Sequence, residues 1–88
     1  MARGDAASTI IKRSVTIAGH STSLSLEQPF WIGLGRIAQA EKVSVAALLR
    51  RIDAKRSEPG EFQGNLSSAV RVFVLRWLAG KAGVDPLD

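Results

Sequence analysis

The chain has 88 residues, 45% apolar and 23% charged, an ordinary globular balance that excludes global disorder and a multidomain architecture. It has no cysteine and one histidine, His20, which excludes disulfides, thiolate metal sites and cysteine nucleophiles. The net charge of +4 is too mild for a histone-like polycation. A core this small is marginal on its own, and with disulfides and metals excluded the remaining support is oligomerisation. No apolar run approaches the roughly 18 residues of a membrane span, and no apolar segment of a signal peptide follows Met1-Ala2-Arg3-Gly4-Asp5. A cytoplasmic location without membrane contact is therefore expected.

Residues 1–8 are small and polar and are expected to be a disordered arm. Over residues 9–17, Ile11, Val15 and Ile17 alternate with Lys12, Ser14 and Thr16, a β pattern that Arg13 interrupts on the apolar side. Ala18-Gly19-His20-Ser21 reads as a turn. Next, Leu24 and Leu26 alternate strictly with Ser21, Ser23 and Ser25, so the leucines share one face and the serines the other. Two short strands around a glycine turn predict a β-hairpin, which must pack on something to be stable.

Pro29 suits the first turn of a helix, where a missing N–H is harmless. Phe30, Leu34, Ile37 and Ala38 then form one helical stripe, with Trp31 beside it. Lys42-Val43 is a turn, and Ser44 caps a second helix with Val45, Leu48, Leu49 and Ile52 on one face. Pro59, Gly60 and Gly64 mark a loop, and Asn65 caps a third helix that Gly80 and Gly83 end. Leu66, Ala69, Val70, Phe73, Val74, Trp77 and Leu78 form its apolar stripe. Val72 and Leu75 lie outside that stripe, so this helix is apolar nearly all round, as in a central helix or one packed on a partner chain. The reading is one domain over residues 9–83 with a frayed tail over 84–88. The fold class is α+β, mainly helical, a β-hairpin followed by three helices. One such chain is not expected to bury Leu24, Leu26 and three apolar helix faces, which predicts an obligate dimer.

Chemistry-bearing patterns are sparse. Gly33-Leu34-Gly35-Arg36-Ile37-Ala38 matches the loose dinucleotide fingerprint, but it lies inside a helical stripe rather than after a parallel strand. His20 has no nucleophile or orienting group near it in sequence, and its turn position suits plain solvation. Trp31 and Trp77 lie on or beside apolar stripes and are expected in the core or an interface. No residue set has fitting catalytic roles, so no enzyme, cofactor or metal is expected. Half the basic residues fall in residues 36–56, as Arg36, Lys42, Arg50, Arg51, Lys55 and Arg56. Such a segment can track a polyanion or simply solvate a helix face.

The order of strand, helix with Pro29 at its start, short turn and Ser44-capped helix resembles the ribbon-helix-helix family of Arc and MetJ type. Leu24, Leu26, Phe30, Leu34, Ile37, Ala38, Val43, Ser44, Leu48, Leu49 and Ile52 carry the resemblance. The run from Lys12 to His20 and the segment from Asn65 to Arg71 resemble a small bacterial subgroup with an added N-terminal strand and C-terminal helix. The resemblance implies an intertwined homodimer that binds double-stranded DNA as a transcriptional regulator. It places Ser21, Ser23 and Ser25 toward bases in the major groove. It also places Ser44, Val45 and Ala46 against a phosphate at a helix N-terminus. Lys12 and Arg13 on the flanking strand are expected to supply the phosphate-directed charge that the serines lack. An alternative stays open, a dimeric protein-interaction module without sequence-specific DNA binding. Serine offers only one short hydroxyl, and a four-stranded dimer sheet would span roughly 14 Å, against a major groove about 12 Å wide.

Overall fold

The structure is a computed structural model, and it describes residues 9–57 and 64–84. The expected arm over 1–8, part of the loop and the tail beyond Val84 lie outside the described residues. Strands β1 (Ile10–Ile17) and β2 (His20–Glu27) form an antiparallel hairpin, followed by α1 (Gln28–Glu41), α2 (Val45–Arg56) and α3 (Leu66–Ala82). The turn is shorter than the sequence suggests. Only Ala18 and Gly19 lie between the strands, both at positive φ (52° and 85°), and His20 pairs opposite Ile17. Two central residues at positive φ match the right-handed strand twist, which is why a turn this tight closes the hairpin.

Helix α1 starts where β2 ends. The Gln28 N–H donates to the Thr9 carbonyl at 3.0 Å, and Pro29 in the first turn has no N–H to satisfy. Lys42 ends α1 in the left-handed region, and the Val43 N–H returns to the Ala38 carbonyl at 3.0 Å. The expected caps are both present. Ser44 accepts from the Ala47 N–H at 3.0 Å and Asn65 from the Ser68 N–H at 2.8 Å. Gly83, at positive φ, ends α3, whereas Gly80 lies inside the helix rather than at its end.

The hairpin lies with one face on the helices. Leu24, Leu26, Leu34, Ile37, Leu48, Leu49 and Val70 are essentially sealed from solvent. This corrects the expectation that one chain is too small to bury its strand. Leu24 and Leu26 are 1% and 0% exposed within a single chain. The added helix α3 explains it, because Ala69, Val70 and Val74 supply the third wall of the core. Gly33 permits the close approach of α1 and α3, since a Cβ there would sit 3.1 Å from Val74 Cγ1. Leu78, expected on the buried stripe, is instead 49% exposed, and Leu75 is 51% exposed.

Candidate nucleic-acid interface

Residues opposite each other in an antiparallel pair share a sheet face. The register pairs Thr16 with Ser21, Ser14 with Ser23 and Lys12 with Ser25. These six therefore share one face, turned away from Leu24 and Leu26. The face carries five hydroxyls and one cation and no carboxylate until Glu27 at its base. Lys12, Ser14, Thr16, Ser21 and Ser23 are exposed, and Ser25 is half-buried. Ser14 and Thr16 complete the surface. The alternation of Lys12, Ser14 and Thr16 already puts them on the serine face if the two strands pair, and the register bears that out.

Arg13 does not join this face. It pairs with Leu24 on the helix side, and its guanidinium lies 5.1 Å over the Trp31 ring. The Trp31 indole N–H donates to the Ile11 carbonyl at 2.9 Å, so ring and strand are fixed together. Ser44, Val45 and Ala46 lie in the helix layer, not on the sheet face. The Ser44 hydroxyl is engaged by its own helix, so an anion there would meet backbone N–H groups.

The free edge of β2 borders the same face. The Gln28–Thr9 bond marks a hydrogen-bonded position. Counting back by twos, Leu26, Leu24, Thr22 and His20 turn their backbone groups to β1. Ser21, Ser23 and Ser25 turn theirs outward, where the described residues place no further strand. His20 itself is exposed beside the turn, with no catalytic partner among the described residues.

Among the other cations, Arg51 and Arg56 on α2 are engaged. Arg51 binds Glu41 at 3.1 Å and Arg56 binds Asp53 at 2.6 Å. Glu41 also accepts from the Trp77 indole at 3.2 Å, and Lys81 lies 4.9 Å over that ring, so one carboxylate links all three helices. At the sheet base, Arg71 binds Glu27 at 2.8 Å and lies 5.9 Å over Phe30. The Arg71 hydrogen bond holds the Glu27 carboxyl below its ordinary 4.5, and those from Arg51 and then Trp77 do the same for Glu41. Lys12, Arg36, Lys42, Arg50 and Arg76 are exposed and meet no carboxylate among the described residues. No cluster of metal-ligating side chains occurs among the described residues.

The model of the ribbon-helix-helix domain family matches residues 10–78, which takes in the hairpin and most of α3. The chain belongs to the ribbon-helix-helix family. A solved structure of an uncharacterized protein from Bordetella pertussis Tohama I superposes on this ribbon-helix-helix chain with a TM-score of 0.73 and 32% identity. The match covers 93% of this chain and 66% of that one, so the chain spans just under two thirds of its relative's length. No curated protein sequence matches it. No helix among the described residues is long and apolar enough to cross a membrane.

Proposed function

We propose that this ribbon-helix-helix chain is a homodimeric, non-catalytic DNA-binding protein that regulates transcription, with the outer sheet face as its contact surface. The observation that carries the reading is that face itself, Lys12, Ser14, Thr16, Ser21, Ser23 and Ser25 together without a carboxylate among them. Lys12 supplies the phosphate-directed charge, and the hydroxyls bond to base edges or backbone oxygens. The N-terminus of α2, at Ser44, Val45 and Ala46, offers a second phosphate contact through its backbone N–H groups. Arg13, turned toward Trp31, reaches DNA only by leaving the ring. The reading needs no cofactor and is compatible with a cytoplasmic protein.

One observation favours the second reading, a dimeric interaction module. β1 occupies one flank of β2, so pairing of two β2 strands gives a four-stranded sheet. Its backbone would span roughly 14 Å, wider than a major groove of about 12 Å. Titration of duplex DNA across salt concentrations separates the two. A steep fall of log affinity with log salt, flattened by about one charge in Lys12→Ala, supports DNA binding. No binding at low salt leaves the interaction module.

A further inference from the structure

The sheet face offers little charge. Lys12 is its one cation, and a chain that neutralises one phosphate has a salt slope of only about −0.9. The other free cations lie elsewhere. Arg36 lines an open groove between α1 and α3, together with Ile32 and Leu78. Lys42, Arg50 and Arg76, exposed and without a carboxylate partner among the described residues, all adjoin one point, the Glu41 side chain. Lys42 follows Glu41 directly and ends α1. Arg50 precedes Arg51, which binds Glu41 at 3.1 Å, and Arg76 precedes Trp77, whose indole donates to Glu41 at 3.2 Å. Lys81 lies 4.9 Å over the same indole and acts electrostatically on the same carboxylate.

Five exposed cations thus surround the vertex where the three helices meet, with Glu41 as the carboxylate between them. The excess of four positive charges equals the formal net charge of the whole chain, +4. Asp53, the other carboxylate of α2, is held by Arg56. Glu41 fixes this vertex rather than neutralising it, because it ties Arg51 of α2 and Trp77 of α3 to the end of α1. One residue turns a helix by about 100°, so Arg50 and Arg76 fan out beside Arg51 and Trp77. Three of the five cations are guanidiniums, whose planar fork matches phosphate oxygens. We propose that this vertex binds the phosphate backbone of double-stranded DNA, with Arg76 and Lys81 of α3 as its added contacts. This rests on the DNA-binding part of the proposed function and supplies most of the charge which that reading needs. Backbone contacts carry no sequence information, so the vertex anchors and the sheet face reads.

The test is titration of the full chain with two unrelated short duplexes from about 50 to 200 mM salt. The unaltered protein is compared with Arg76→Gln plus Lys81→Gln at the vertex, Lys12→Ala on the sheet face, and Arg36→Gln as a free cation outside both. The vertex variant should flatten the log–log slope by about two charges, equally on both duplexes. Its circular dichroism should be unchanged, because both side chains are exposed in the folded chain. Arg36→Gln should leave the slope as it is. If the vertex variant does not fold, Arg50→Gln replaces it and should flatten the slope by about one charge. An unchanged slope in the vertex variant, or an equal loss per charge in Arg36→Gln, overturns the proposal. Flattening in Lys12→Ala alone also overturns it and leaves the sheet face as the contact surface. Flattening in the vertex variant alone supports the vertex and removes the sheet face. Absence of binding by the unaltered chain at low salt overturns both.

Discussion

Single residues here do more than one task. Glu27 is the N-cap of α1, yet its carboxylate is spent on Arg71, and the Thr9 carbonyl meets the first helical N–H instead. Because Glu27 and Glu41 have folded pKa values below 4.5, the stability they confer is complete above the unfolded value. It is lost as pH falls through the depressed folded values. Thermal melts from pH 6 to pH 3 should therefore show the melting temperature dropping on the acid side, with a shallower drop in Glu27→Gln and Glu41→Gln. The two glycines of α1 also differ. Gly35→Ala enters open space and should stabilise by about 0.5–1 kcal/mol in denaturant titration. Gly33→Ala must push Val74 aside and should lose that gain or destabilise. Sequence shows both glycines as the same anomaly in a helix, because their difference is a neighbour on α3.

At the scale of elements, the sequence is legible wherever the cause is local. The Ser44 and Asn65 caps depend on N–H groups three residues ahead, so composition and spacing suffice to place them. Ser44→Ala should cost about 1 kcal/mol of stability in chemical denaturation. The alternation through Leu24 and Leu26 gave the sheet face correctly, and Arg13 already stood on the apolar side by its parity. Leu24→Asp should abolish folding by burying an unpaired carboxylate, whereas Ser23→Ala should shift stability by no more than about 0.5 kcal/mol. Loss of the thermal transition in the second variant rather than the first would mean the register is off by one. Periodicity ran out on α3. It grouped Leu78 with Val70 and Val74, but a helix period assigns angles around an axis, not the partner waiting at each angle. Leu78 faces a groove instead of a wall.

The molecule as a whole reverses one expectation. Length and apolar pattern suggested that burial of Leu24 and Leu26 requires a second chain, and a single chain seals them with α3. What a partner can still cover is a different surface, namely the β2 edge and the α1–α3 face. The proposed dimer should then be one of folded chains docking. Its melting temperature should rise with protein concentration, while a dilute chain should still show a cooperative transition of its own. On DNA, replacing Ser23 and Ser25 should alter sequence preference with little change in salt slope, as measured by competition with unrelated duplexes.

The turn at Ala18-Gly19 also bears on how quickly the protein folds. A hairpin closed by two residues needs no distant contact, and such hairpins form within about 1–10 µs. Ala18 works against this speed, since its φ of 52° puts a side chain in a region that disfavours it. Asparagine tolerates that region and is strongly preferred before glycine in such turns. In stopped-flow chevrons, Ala18→Asn should raise the folding rate and leave the unfolding rate nearly unchanged if the hairpin is the nucleus. A slower unfolding arm alone would put nucleation among the helices, with the strands closing last.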